Sequence, residues 1–148
     1  MKFRLSNPSC SVVVWKIAKL NGGRAVSERR LLGDVVAAVS RVLRVRRPGH
    51  WLDPGPFGCL GVGPGYALGV GTAGFGGPIV VVMGDGAFGL NGMELDALVR
   101  FDVPAVLVVG NDGAWGEIRI PQIGIYGQEG EIATRRAPSR YDRLTEVF

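Results

Sequence analysis

Pro78-Ile79-Val80-Val81-Val82-Met83-Gly84-Asp85-Gly86-Ala87-Phe88-Gly89 opens the stretch that decides the fold, and 24 residues separate its Gly86 from Asn111-Asp112-Gly113. The unbroken apolar run 79–83 predicts a strand buried on both faces, as in a parallel sheet. A Gly-Asp-Gly turn follows it. Asn91 then sits where an N-cap would, with Glu94 three residues on, a capping-box-like start for a helix. Met93, Leu95, Leu98, Val99 and Phe101 supply that helix with a buried side. Pro104 begins the next connection, and 105–109 reads as a second buried strand. Strand, turn, helix and strand make one βαβ unit. Its two strand ends share an edge of the sheet, which is where open α/β sheets bind ligands.

Each strand end carries an oxygen ligand. A Gly-Asp-Gly alone is readable as a tight turn in which Asp serves as the hydrogen-bonding residue. A carboxylate at Asp85 beside an amide oxygen at Asn111 changes the reading, because both are hard oxygen donors of the kind that suit Mg²⁺ or Ca²⁺. Mg²⁺ takes few protein ligands and shares its octahedron with phosphate oxygens and water. Glycines around Asp85 let backbone N–H groups approach a diphosphate. The pair therefore implies a metal that bridges a diphosphate to the protein. Other phosphate-binding patterns fit worse. No Gly-x-x-x-x-Gly-Lys-Ser/Thr is present. Gly61-Val62-Gly63-Pro64-Gly65 follows no buried strand and has no acidic strand end about 20 residues beyond it, against a dinucleotide fingerprint.

Outward from this unit the chain is less regular. Residues 58–71 are dense in glycine yet carry Leu60, Val62, Tyr66, Leu68 and Val70. Each glycine costs a helix about 1 kcal/mol relative to alanine, so a helix here requires close packing on a neighbour. Trp51-Leu52-Asp53-Pro54-Gly55-Pro56-Phe57 reads as a rigid loop, since two prolines fix φ and restrict the residues before them. Residues 27–43 predict an amphipathic helix with Ser27 as N-cap, stopped by Pro48. Residues 1–25 read as an irregular N-terminal arm in which Val12-Val13-Val14-Trp15 has strand character. Residues 110–127 read as a long loop, too apolar for solvent and therefore expected to fold over something. Residues 127–140 are polar, and a helix is expected to start at Tyr141.

The 148 residues suggest one domain, and a hydrophobic content of 47% is enough to bury a core. The net charge of +4 is uneven: residues 1–50 carry 11 Lys/Arg against Glu28 and Asp34, and the remainder is net acidic. With no aromatic platform beside the basic residues, a solvated basic face is favoured over nucleic-acid binding. Cys10 and Cys59 are far apart and His50 is the single histidine, so no zinc spacing exists. This fits a reducing, cytoplasmic compartment. No stretch is long and apolar enough to read as a membrane span.

Residues 51–127 resemble the cofactor-binding domain of thiamine diphosphate-dependent enzymes, in the acetolactate synthase-like branch. That branch also holds oxalyl-CoA decarboxylase and 2-hydroxyacyl-CoA lyase. Trp51-Leu52-Asp53-Pro54-Gly55-Pro56-Phe57-Gly58 and Gly84-Asp85-Gly86-Ala87-Phe88-Gly89-Leu90-Asn91-Gly92-Met93-Glu94 carry the likeness. The resemblance implies an α/β fold, three layers deep, with a mostly parallel sheet flanked by helices. It places a partial thiamine diphosphate-binding domain over residues 26–148, expected to be incomplete at both ends. By resemblance, Asp85, Asn111 and the carbonyl of Gly113 hold Mg²⁺. Gly84, Gly86, Ala87 and Asn111 belong to the cofactor site, with Gly86 and Ala87 donating N–H groups to the diphosphate. Gly58 accepts a hydrogen bond from the cofactor's 4′-amino group, and Leu60 is the wedge that holds the cofactor bent.

The implied chemistry is carboligation or decarboxylation of a 2-oxo acid, or the corresponding acyl-CoA reaction, by nucleophilic covalent catalysis. The family's activating glutamate comes from a separate N-terminal domain, usually of a partner subunit, and no residue here matches it. The chain by itself is therefore expected to be inactive, and a full-length enzyme would be a homo-oligomer. The competing expectation is a non-catalytic remnant or interaction module that keeps the fold.

Overall fold

The computed structural model describes residues 2–4, 11–16, 24–27, 39, 43–45, 47–137 and 139–146. Five strands, β1 (Lys2–Arg4), β2 (Ser11–Lys16), β3 (Arg24–Ser27), β4 (Ile79–Gly84) and β5 (Ala105–Asn111), form one sheet in the order β1-β2-β5-β4-β3. At its centre β4 and β5 run parallel, in register from Ile79 opposite Ala105 to Gly84 opposite Gly110. On the far side of β4, β3 is also parallel. On the far side of β5, β2 runs antiparallel, and β1 is antiparallel to β2. Only β2 therefore opposes the common strand direction. The stretch read as an irregular arm thus contains strands, and 12–15 fall within β2 as their strand character suggests.

The central strands are buried on both faces. Successive strand residues point to opposite faces, and Val81, Val82 and Met83 are all buried, as are Ala105, Val106 and Leu107. That is the three-layer α/β arrangement, with helices over a mostly parallel sheet. It explains why β4 and β5 read as continuous apolar runs with no polar alternation.

Four helices are described: α1 (Gly63–Thr72), α2 (Asp85–Asn91), α3 (Leu95–Arg100) and α4 (Gly116–Tyr126). Pro64 lies in the first turn of α1, where its missing N–H removes no helical bond. The expected close packing of this glycine-dense helix occurs at Gly71, where an added Cβ would run into Val103. Gly65 and Gly69 have open space beside them. Ala67 of α1, Phe88 of α2 and Leu95 and Leu98 of α3 join the strand residues in one core. Burying a side chain such as Leu98 or Phe88 contributes about 1.5–3 kcal/mol.

Two helical boundaries differ from the sequence reading. The helix after β4 starts at Asp85, directly from the extended Gly84, and not at Asn91. Asn91 makes no cap hydrogen bond. Its amide Nδ2 donates instead to the Gly61 carbonyl at 3.3 Å. A short 3-10 turn, Gly92–Glu94, then joins α2 to α3. The second difference lies after β5. The stretch 110–127, read as a loop, contains α4 from Gly116 to Tyr126, with Pro121 inside it.

The remaining expectations meet the structure in part. Ser27 is the last residue of β3, and most of the expected helix 27–43, with the cap expected at Ser27, lies outside the described residues. Val39 is helical and packs on the core. In the 51–57 loop, expected to be rigid, both Asp53 oxygens are engaged. Trp51 Nε1 donates to Asp53 Oδ2 at 2.9 Å and Gly55 N–H donates to Asp53 Oδ1 at 2.8 Å. Tyr141–Glu146 is a 3-10 helix and lies against β2.

Candidate functional site

The pairing of Gly84 with Gly110 brings the next two residues, Asp85 and Asn111, to the same edge of the sheet. Asp85 is the first residue of α2 and is only 2% exposed. Burial pushes its carboxyl from 3.8 up to about 6, and the nearby Asp112 carboxylate adds to the rise. Arg136 and the Gly86 N–H act in the opposite direction. Asp85 Oδ2 is buried with no hydrogen-bond partner. A buried, unpartnered carboxylate oxygen is costly, and its persistence marks a place where charge is meant to be met.

Asn111 ends β5 with its side chain fixed at both atoms. Oδ1 accepts from Gly113 N–H at 3.3 Å, and Nδ2 donates to the Ser139 carbonyl at 3.0 Å. Gly113 has φ of +67°, a left-handed conformation that glycine adopts without steric cost. The Asn111-Asp112-Gly113 turn is further braced by Ala114 N–H donating to Asp112 Oδ1 at 3.1 Å.

A strap, residues 133–137, runs along this turn. Ala114 pairs with Arg135 in an antiparallel bridge. Trp115 N–H donates to the Thr134 carbonyl at 2.8 Å, and Arg136 N–H donates to the Gly113 carbonyl at 2.7 Å. The strap carries the Arg136 guanidinium over the site. Its Nη1 is 3.7 Å from Asp85 Oδ2, its Nη2 donates to Tyr141 Oη at 3.0 Å, and its carbon lies 5.1 Å from the centre of the Trp115 ring. Trp115 packs on Gly86 and Arg136 on Gly89, so the two glycines form a flat face of α2 that both side chains cover.

Gly58 and Leu60 precede Gly61, which meets the other end of α2. Gly58, at φ +59°, closes the 3-10 turn Gly55–Phe57, and Leu60 packs against the core half-buried. Gly61 meets Leu90 and Asn91. Asn91 is six residues along α2 from Asp85, about 9 Å at 1.5 Å per residue. The expected site residues thus form two groups: Gly84, Asp85, Gly86, Ala87, Asn111 and Gly113 at the start of α2, and Gly58 and Leu60 in the segment whose Gly61 meets its end.

The sequence of residues 32–147 matches the family model described as thiamine pyrophosphate enzyme, C-terminal TPP binding domain. The chain belongs to this family. Its relatives lie in the branch that residues 51–58 and 84–94 resemble. It is 46% identical over 116 residues to the acetolactate synthase large subunit of Mycobacterium tuberculosis, covering 78% of this chain and 21% of that one. It is 43% identical over 116 residues to 2-hydroxyacyl-CoA lyase 2 of Xenopus laevis, covering 78% and 18% respectively. For the 2-hydroxyacyl-CoA lyase 2 of Caenorhabditis elegans the identity is 39% over 114 residues, covering 77% and 18%. The chain therefore spans about a fifth of the length of these curated relatives, and this thiamine pyrophosphate-binding domain corresponds to one part of larger enzymes. Among the described residues no helix is long and apolar enough to cross a membrane.

Three contributors to this thiamine pyrophosphate-binding domain were not singled out by sequence reasoning: Asp112, Thr134 and Arg136. Thr134 is 3% exposed and its Oγ1 has no hydrogen-bond partner. The apolar content after Asn111 did point to Trp115 as covering something. Nothing in the polar 127–140 stretch marks Arg136, whose partner Asp85 is distant in the chain.

Proposed function

We propose that this domain binds thiamine diphosphate through Mg²⁺, and the observation that carries the reading is the buried Asp85 oxygen beside Asn111, which accepts no hydrogen bond. The available donors suit that ion. Asp85 supplies a carboxylate, Asn111 an amide oxygen and Gly113 a backbone carbonyl, all hard oxygen ligands. Among the described residues no group of three or more His, Cys, Asp or Glu is gathered. A site with so few protein ligands fits Mg²⁺ shared with phosphate oxygens better than an all-protein cage. The first N–H groups of a helix lack helical partners, so Ala87 N–H and Gly86 N–H, the latter serving Asp85 here, are available to a diphosphate. Gly84 lets the strand pass into the helix without a side chain over that position.

The second group fits the other end of an extended cofactor. Leu60 is the wedge beneath it and the Gly58 carbonyl the acceptor for its amino group. When bound, thiamine diphosphate supplies a carbon nucleophile and an electron sink for chemistry at a carbonyl. This chain's residues bind it, hold it bent and exclude water. The chain works as part of an acetolactate synthase-like enzyme that joins or decarboxylates 2-oxo acids, or as part of a 2-hydroxyacyl-CoA lyase type. A partner domain or subunit supplies the activating glutamate, and the 148 residues alone do not turn over substrate.

Calorimetry of thiamine diphosphate with Mg²⁺ tests the binding reading. Asp85→Ala is expected to abolish binding, and excess chelator to do the same with the wild-type chain. Unchanged affinity in either arm overturns the metal assignment.

A further inference from the structure

We propose that Arg136 occupies the cation position of this site in the metal-free chain, and that a divalent metal binds only by displacing it. The inference rests on the metal-site reading above and goes beyond it. One residue covers two of the three oxygens assigned to the metal. The Arg136 main-chain N–H donates to the Gly113 carbonyl at 2.7 Å. Its guanidinium Nη1 lies 3.7 Å from Asp85 Oδ2. The third ligand is held from the same side of the chain order, since Asn111 Nδ2 donates to the Ser139 carbonyl, beyond the strap.

The guanidinium contact is a poor one in geometry. An N···O separation of 3.7 Å is too long for a hydrogen bond, and both facing atoms, Asp85 Oδ2 and Arg136 Nη1, are buried without another partner. Two opposite charges out of water attract strongly, yet each keeps an unmet hydrogen-bonding direction. Arg136 thus offsets part of the Asp85 charge without satisfying its oxygen. A small divalent cation held by Asp85, Asn111 and Gly113 would meet the one oxygen of the three that is left unsatisfied, Asp85 Oδ2, and its charge would repel the guanidinium 3.7 Å from that oxygen. Arg136 has other partners to hold it once it withdraws, the Tyr141 hydroxyl at 3.0 Å and the Trp115 ring. The metal affinity of the chain is therefore set by a competitor built into the strap.

The test is a titration of the 148-residue chain with Mn²⁺, followed by electron paramagnetic resonance without any cofactor. Arg136→Gln keeps a donor for Tyr141 and removes the charge; it is expected to bind Mn²⁺ at least tenfold more tightly than wild type. Arg136→Lys is expected to stay within a few-fold of wild type. Equal or weaker binding in a folded Arg136→Gln overturns the competition. Should that variant not fold, the wild-type chain decides the matter by NMR. The Arg136 Nε–H resonance is expected to shift in step with Mg²⁺ occupancy, and a resonance unmoved at saturation overturns the proposal. Asp85→Asn separates the two readings. If it binds Mn²⁺ as wild type does, both the metal site and the competition fail. If it loses binding while Arg136→Gln gains none, the competition alone fails.

Discussion

The Trp115 ring fills the space that a side chain at position 86 would need: a Cβ built on Gly86 comes within 2.5 Å of Trp115 Cζ3. This contact joins the start of α2 to the turn after β5, and so fixes Asp85 relative to Asn111. Gly86→Ala is expected to cost about 1–3 kcal/mol, the range of core overpacking. Combining it with Trp115→Leu makes room for the methyl group, so the double variant is expected to be more stable than the sum of the single losses. Urea denaturation of the four proteins measures this, and strict additivity would show that the ring does not press on position 86.

At the other end of α2 the amide of Asn91 holds the Gly61 carbonyl, and Gly61 itself has φ of +82°. Asn91→Ala removes one partly buried hydrogen bond, worth about 1 kcal/mol. Hydrogen exchange at residues 59–62 is expected to speed up, with exchange in β4 and β5 changed only by the global loss. Unaltered exchange at 59–62 would mean that the loop bearing Leu60 is held by Leu90 and the core alone.

The two central strands were legible because parallel strands buried on both faces need unbroken apolar runs, and 79–83 and 105–109 are such runs. Their parallel pairing then brought Asp85 and Asn111 together without further information. The start of α2 was not legible. Asp85, Gly86 and Gly89 are weak helix formers, and it is Trp115 and Arg136 packing on the glycine face that accompanies a helix there. The same holds for α4, where Gly116, Pro121 and Gly124 argue for a loop. Contacts from outside the helix support it, including the Gln122 side-chain oxygen accepting from Ile132 N–H at 3.2 Å. Arg136 was invisible for a different reason. A charge in a polar stretch carries no sign of whether it faces solvent or a carboxylate far away in sequence.

Glu131 ties α4 to the strap. Its carboxylate accepts from Arg119 Nε at 2.7 Å and lies 2.9 Å from Arg135 Nε. These bonds hold the Glu131 carboxyl below its usual range. Glu131→Gln removes the charge that both arginines share. Trypsin cleavage after Arg119 is expected to be several-fold faster in that variant, because α4 loses its tie to residues 131–135. An unchanged cleavage rate with an unchanged melting temperature would show that the helix stands without this link.

Asp85 makes the metal-free chain sensitive to pH in a direction that its environment dictates. Its carboxyl titrates at about 6 when folded and at 3.8 in the absence of that environment, with burial the largest cause and Asp112 the next. Between those values the folded chain holds a proton that the unfolded chain has released. Stability therefore falls as pH rises through this window, and the Asp85 penalty is complete above the folded value. The shift corresponds to at most about 3 kcal/mol at 1.36 kcal/mol per unit. Asp85→Asn keeps the shape and removes the titration. The difference in unfolding free energy between wild type and Asp85→Asn, measured with chelator from pH 4 to pH 7, is expected to move steadily against the wild type as pH rises and to level off near neutrality. Mg²⁺ added at pH 7 is expected to recover part of the loss in the wild type and none in Asp85→Asn. A difference that stays flat with pH, or that favours the wild type as pH rises, would show that Arg136 already neutralises Asp85 fully and that burial does not govern the carboxyl.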